Sequence, residues 1–431
     1  MCLLCEGVGN PTVCAMDCSQ SIAMKRSYLL LGMALCACDG GNESSAGDIV
    51  LEGDSAGITM IQSSPPYATW SVDPSPVLKI GVMDGSADYQ FSNAAYVARL
   101  SDDRIVLFDG GSSEVRWYGS DGRFQARAGR RGRGPGEFQS VTSAVLTARD
   151  TLVLYDFRNQ RVTWVSPGGL IARTRHIDLE SSSRINLASL GGSDLLIAEE
   201  RATFNFGESE FNYARDSVLV LVPSNSTDAV DTVLRLSGRE AVTWVDYVDG
   251  RPIATQQMSL PFGERTLIGG IAGRPVVIRN GRDDLAFFDS RGDLTALARR
   301  SDVAPPRVST LLREQFVTHA VERGMTMGMQ ESAIRSASED RISLLAADRR
   351  VPAFDLVLSN PVEDRVWLRD FLPEWRRDEA REWTVHDATG RVVARVTTLP
   401  GLEVMHVASG NVVGVERDAL GVEYVVVYAL E

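Results

Sequence analysis

The apolar positions of this chain come in short runs. Ile105, Val106, Leu107 and Phe108 follow Ser101-Asp102-Asp103-Arg104, and Leu152, Val153, Leu154 and Tyr155 follow Ala148-Arg149-Asp150-Thr151. Continuous apolar runs of this length, bounded by turn residues, predict strands covered on both faces. A different segment follows each run. Val115 and Trp117, and likewise Val162 and Trp164, alternate with polar residues, which predicts half-exposed strands. Ser120-Asp121-Gly122 and Ser166-Pro167-Gly168-Gly169 then supply turn chemistry.

The two units are copies of one pattern. Phe91 recurs as Phe138, Asp109 as Asp156, Val115 as Val162, Trp117 as Trp164 and Gly122 as Gly169, each at an offset of 47 residues. Short strands repeating at this period predict the blades of a β-propeller. The expected fold is all-β, a six-bladed β-propeller over 48–431. Its blades are expected near 91–124, 138–176, 184–237, 266–298, 353–397 and 402–429. The last has only three strands of its own. The segment PSPVLKIG at 74–81 is expected to supply the fourth, so that the N-terminal strand closes the last blade and hides both edges.

Residues 129–138, GRRGRGPGEF, precede the LVLYD strand and then Asn159-Gln160-Arg161-Val162. This arrangement resembles an NHL-type repeat, with Gly134, Gly136, Glu137, Phe138, Asp156, Asn159 and Arg161 at the matching positions. The preceding unit lacks both the glycine connector and the Asn-x-Arg, so the resemblance is full in one blade and partial elsewhere. The C-terminal DALGVEYVVVYAL is similar to the last blade of six-bladed propeller lipoproteins of bacteria. The resemblance implies two kinds of relative. Some are binding or scaffold propellers. Others are lactonase-like hydrolases that hold calcium at the channel mouth with carboxylates and asparagines. In the second case calcium is the implied cofactor and Asp109, Asp156 and Glu199 the candidate ligands, although no asparagines accompany them.

Sorting loops by strand order places short turns on one face of such a ring. The other face receives the insertions 201–215, 239–265, 301–350 and 371–381, together with the arginine-rich connector 127–134. Long loops gathered on one face mark a binding surface, or else fill the central channel. Within 301–350, Val308, Leu311, Leu312, Phe316, Val317, Ala320 and Val321 recur at helical spacing, predicting a helical insertion between blades four and five that acts as a lid. The alternating Met325, Met327 and Met329, with His319 near, are either soft copper(I) ligands or a flexible apolar turn. Arg130, Arg131 and Arg133, with Arg127, could receive an anionic ligand through their planar forks. Otherwise they brace Glu137, Asp156 or a neighbouring blade. Asp156 with Arg161 is expected to form a bracing ion pair. The ligand-binding candidates are therefore Arg130, Arg131, Arg133, Asp109 and Asp156.

Charge and composition narrow the function. Lys and Arg total 44 against 57 for Asp and Glu, a formal net charge of −13. That balance argues against general binding of nucleic acid or of an anionic lipid surface. The four histidines, His176, His319, His386 and His406, are scattered, and no nucleophile-elbow or dinucleotide-binding glycine motif occurs. The expectation is a non-enzymatic binding or scaffold propeller, monomeric, whose partner is a protein or an anionic ligand. The alternative is the calcium-dependent hydrolase.

All six cysteines lie in the first 38 residues. Cys2 and Cys5, with Cys14 and Cys18, have a spacing that could hold zinc. However, Met24-Lys25-Arg26 and the apolar run after it have the form of an export signal too short to span a bilayer. Leu35-Cys36-Ala37-Cys38 resembles the lipobox of bacterial lipoproteins, with Cys38 at the lipidated position. Residues 1–23 then read as upstream sequence, 24–37 as the signal peptide and 38–47 as a flexible tether. Ordinary cleavage without lipidation is the other reading. In both, the body is expected in the cell envelope, where a chain without cysteines cannot form wrong disulfides. Its membrane contact is expected through the anchor alone.

Overall fold

The computed structural model describes residues 51–55, 57–177, 184–192, 194–206, 210–223, 230–249, 251–300 and 304–431. The segments read above as upstream sequence (1–23), signal peptide (24–37), lipidated Cys38 and tether (38–47) lie outside the described residues.

The described residues form six sheets. The first contains Ala94–Arg99, Ile105–Asp109, Glu114–Tyr118 and Phe124–Ala128. The second repeats it as Val141–Leu146, Leu152–Asp156, Arg161–Val165 and Ile171–His176. Both are antiparallel meanders in chain order. The apolar runs read as doubly covered strands are buried at every position. The repeated turn glycines Gly122 and Gly169 have φ of 79° and 84°, a left-handed conformation that suits glycine.

The first strand of each sheet lies against those of its neighbours, the first and second sheets meeting through Tyr96 and Leu146, so the sheets stand in a ring, the β-propeller arrangement. Adjacent inner strands are joined by single hydrogen bonds, many of them to side chains. The Leu146 amide donates to Tyr96 Oη at 2.9 Å, the Leu187 amide to Ser143 Oγ at 2.9 Å, and the Gly270 amide to Ser359 Oγ at 2.9 Å. The Arg99 amide donates to His406 Nδ1 at 3.4 Å. These bonds satisfy backbone groups that would otherwise be buried without a partner. The strands enclose a channel cavity of about 430 Å³.

The chain enters this ring along its rim. Ile58–Ser63 pairs parallel to Leu294–Arg300 of the fourth sheet, and Ala68–Ser71 pairs parallel to Val392–Thr398 of the fifth. Leu78–Ile80 then pairs antiparallel to Glu423–Ala429, giving the sixth sheet its fourth strand. The 74–81 segment therefore meets the sheet whose own strands are three.

Two local expectations are corrected. Glu114–Tyr118 and Arg161–Val165 are not half-exposed. Arg116 is 4% exposed because it reaches Asp109 at 3.4 Å and Glu114 at 3.0 Å and donates to the carbonyls of Ala87 and Gln90. Thr163 is also buried. Residues 239–259 are not loop. Val230–Val248 is a single long strand that continues past the third sheet and returns as Arg251–Ser259. Residues 51–71 supply the rim strands Leu51–Ser55, Ile58–Ser63 and Ala68–Ser71. Among the described residues no helix is long and apolar enough to cross a membrane.

Candidate functional site

Two helices follow the fourth sheet. Helix α1 spans Thr310–Thr326, and Ser309 Oγ caps it by accepting from the Leu312 amide. Helix α2 spans Glu331–Ser343. Their close approach depends on Gly324, where an added Cβ would lie 2.5 Å from Ile334 Cδ1. Arg313 donates to the carbonyls of Ile342 and Ala346, satisfying the C-terminal end of α2.

A compact ion network fastens the helical segment to the third sheet. Glu240, nearly buried, accepts from Arg349 at 2.8 Å, Arg215 at 3.4 Å, Tyr213 Oη at 3.0 Å and the Glu264 amide at 2.7 Å. Glu264 takes the other side of both arginines, at 3.1 Å from Arg215 and 3.6 Å from Arg349. Burial alone would raise the Glu240 carboxyl. The Glu264 amide and the Arg349 guanidinium outweigh it and hold the group below its ordinary value.

Around this anchor the insertions surround one cavity of about 1400 Å³. The extended hairpin contributes Trp244 and Met258. Helix α1 contributes Phe316, His319 and Arg323, residues spaced by three or four and so on one face. Helix α2 contributes Ile334, Ser338 and Arg341, and the 371–375 loop contributes Phe371, Glu374 and Trp375. Phe262 is the hub, with its ring 6.4 Å from Phe316, 6.2 Å from Phe371 and 6.3 Å from Trp375. It holds a φ of 50°, which is unfavourable for a bulky residue and is held by those packed rings.

The polar groups on this wall are few. Arg323 pairs with Glu374 at 2.5 Å, and Asp246 accepts from Trp244 Nε1 and Gln256 Nε2, each at 3.0 Å. His319 lies 5.8 Å from the Trp375 ring. His319 Nε2, Trp375 Nε1 and Arg341 Nε are buried without hydrogen-bond partners. The arrangement can enclose an apolar body and offers isolated polar atoms to it.

The residues singled out from sequence fall elsewhere. None of Arg130, Arg131, Arg133, Asp109 and Asp156 lines this cavity. Asp109 and Asp156 are each 1% exposed and already engaged. Asp109 accepts from the amides of Asn93 and Gly111 and from Ser112 Oγ. Asp156 accepts from the amides of Gln139, Ser140, Arg158 and Asn159 and from Asn159 Nδ2. Both carboxylates therefore organise turns. Arg161 braces the same connector separately, by donating to the carbonyls of Arg133, Gly134 and Glu137, so the expected Asp156–Arg161 pair is replaced by two independent braces. Arg130 pairs with Glu137 at 2.6 Å, while Arg131 and Arg133 remain exposed. Asp109, Asp156 and Glu199 stand in three different strands, and among the described residues no three His, Cys, Asp or Glu side chains converge. Met325 ends up inside α1, and Met327 and Met329 line the cavity from the link between the helices.

Sequence reasoning placed the insertions together but did not single out Phe211, Trp244, Phe262, Phe371 or Trp375. Their signal was the presence of aromatic residues in loops otherwise rich in charge.

No family model matches the chain, and no curated protein matches it. Solved structures with a similar fold include a protein from Bacteroides fragilis described as an exported-protein candidate, at 10% identity and a TM-score of 0.45, covering 86% of this chain and 99% of that one. A member of the DUF4221 family from Bacteroides vulgatus has 7% identity and a TM-score of 0.47, covering 85% and 99%. Virginiamycin B lyase from Staphylococcus aureus has 7% identity and a TM-score of 0.36, covering 84% and 95%.

Proposed function

We propose that this chain is a six-bladed, NHL-like propeller lipoprotein of the bacterial envelope, anchored through Cys38. Its loop-bearing face binds a partner and does not transform it. The helical segment between the fourth and fifth sheets acts as a lid on that face, and the protein works as a monomer. The observation that carries this reading is the convergence of the insertions. Segments from the third sheet, from the link between the fourth and fifth sheets, and from the fifth sheet enclose one aromatic cavity. Insertions with no common purpose would have no reason to share a hydrophobic cluster of their own, yet Val242, Leu260, Phe262, Val308, Ile342 and Leu345 form one.

The test is capture from cross-linked envelopes together with direct titration of the purified body. Replacing 304–350 by a short linker should abolish binding while the ring stays folded. Arg131→Ala with Arg133→Ala, exposed and outside the cavity, should leave it within about twofold and change stability by less than about 0.5 kcal/mol. Loss of binding in the arginine variant with retention in the deletion would move the site to the 127–134 connector and overturn the cavity reading.

A further inference from the structure

The two helices carry a charge arrangement with one member left over. Arg323 is paired with Glu374, Arg335 with Glu331 at 2.9 Å, and Arg313 with the carbonyls that end α2. Arg341 has no carboxylate within 4 Å among the described residues. Its guanidinium lies 5.4 Å from the centre of the Phe316 ring, at the cavity wall, and its Nε is buried without a partner. The last turn of α2 offers it only the partial negative charge of a helix end. Burial pulls its pKa below the ordinary value, the mark of a cation lacking its counter-charge.

Two further groups share this deficit. Trp375 Nε1 can only donate and is buried unbonded, and His319 Nε2 on α1 is likewise buried without a partner. The carboxylates on the wall do not answer them. Asp246 is occupied by Trp244 and Gln256, Glu374 by Arg323, and Glu210 is exposed. Most of the rest of the lining is aromatic, aliphatic or thioether. Phe206, Tyr247, Met327 and Met329 are apolar yet exposed, an adaptable border for a flexible apolar chain.

We propose that the cavity takes an amphipathic organic carboxylate, its apolar body among the aromatic rings and its anionic end on Arg341. This rests on the reading of the cavity as a binding site and adds the class of its ligand. A carboxylate would give the guanidinium a bidentate acceptor, which neither an alcohol nor an amine of the same length can do. A volume of about 1400 Å³ leaves room for a chain of a dozen carbons or for fused rings.

The experiment titrates the purified body with dodecanoate, 1-dodecanol and dodecylamine below their aggregation limits, by tryptophan fluorescence and by calorimetry. Dodecanoate should bind the unaltered protein about 10- to 100-fold more tightly than dodecanol, the range for a charge-assisted hydrogen bond. Arg341→Met should bring that ratio near one and leave dodecanol binding within about threefold. Arg341→Lys should restore part of it, and Arg323→Met should leave the preference for the acid in place. The acid-to-alcohol ratio of the unaltered protein stands even if the Met variant fails to fold. Equal binding of acid and alcohol, a preference for the amine, or a ratio unchanged in Arg341→Met would each overturn the ligand class while leaving a binding cavity. Failure of all three amphiphiles, with partner capture still lost on removing 304–350, would also overturn it while leaving the binding face.

Discussion

Glu240→Gln should loosen the helical segment without opening the ring. The substitution preserves shape and removes the charge that Arg349 at 2.8 Å and Arg215 at 3.4 Å both face. Breaking a buried ion pair costs about 3–5 kcal/mol. Glu264 remains within 3.1 Å of Arg215 and 3.6 Å of Arg349, so the lower end, about 3 kcal/mol, is expected. The ion pair between Arg349 and Glu240 ties the end of the helical segment to the third sheet, whereas the inner-strand bonds of the ring are untouched. The change should therefore appear as local opening. Hydrogen exchange across 310–343 should speed up roughly a hundredfold, since about 1.4 kcal/mol is a factor of ten. Amides of Ile105–Asp109 and Leu152–Asp156 should keep their rates. Exchange across the helices within threefold of the unaltered protein would refute the assignment of Glu240 as anchor.

Three other outcomes follow from the geometry. Removing residues through Ser71 should be costly, because Ile61 and Ser63 are buried, Ser63 Oγ accepts from the Val392 amide, and Trp70 lies 6.1 Å from Trp367; a melt unchanged by this truncation would show the rim strands to be dispensable. Stability should fall as pH drops from about 6.5 to about 4. Burial pulls the buried imidazoles of His386 and His406 down to about 4, so the unfolded chain binds protons that the folded one refuses. Each contributes up to about 3 kcal/mol that is present above 6.5 and lost by 4, and His386→Gln should flatten that slope in denaturant titrations. Gly324→Val should cost about 2 kcal/mol by forcing α1 from α2, with Ile334→Ala recovering part of it in a double-mutant cycle, whereas additive losses would deny the contact.

What was legible in the sequence follows from how each feature is encoded. The buried runs at Ile105–Asp109 and Leu152–Asp156 announce themselves because both faces need apolar residues. The pairing of Leu78–Ile80 with Glu423–Ala429 was legible because a sheet with three strands leaves an edge to cover. The parallel pairing of Ala68–Ser71 with the fifth sheet was not, because a rim strand with exposed positions needs little pattern of its own. Arg116 defeated the alternation rule, since a charge can be buried when carboxylates and carbonyls meet it, and spacing does not reveal those partners. The acidic strand ends misled for the same reason. Asp109 and Asp156 sit where a ligand could be held, yet their oxygens are taken by the turns that follow. The cavity was legible only as a direction. Loop lengths indicated the face, but its aromatic lining comes from four segments far apart in the chain and is brought together by the Glu240 network.

That separation between ring and insertions bears on how the site can vary. The inner strands are joined by single bonds such as Leu187 to Ser143 and Gly270 to Ser359, and the turns by Asp109 and Asp156, so each sheet is braced by residues of the ring itself. The insertions have their own hydrophobic cluster, which joins Val242, Leu260 and Phe262 to Val308, Ile342 and Leu345 of the helical segment. Val242 is the point of overlap, because it lies on the strand that runs from the third sheet into the hairpin. A substitution at Phe316 or Arg341 should therefore change what the cavity holds at little cost to the propeller. A substitution at Val242 should be felt in both. Val242→Ala, removing two methyl groups from a fully buried position, should lower global stability by about 1–2 kcal/mol and also weaken protection across 310–343. Phe316→Leu should affect the second and spare the first. If Phe316→Leu lowers the global transition as much as Val242→Ala does, the two clusters are one cooperative unit and the cavity cannot be altered independently of the ring.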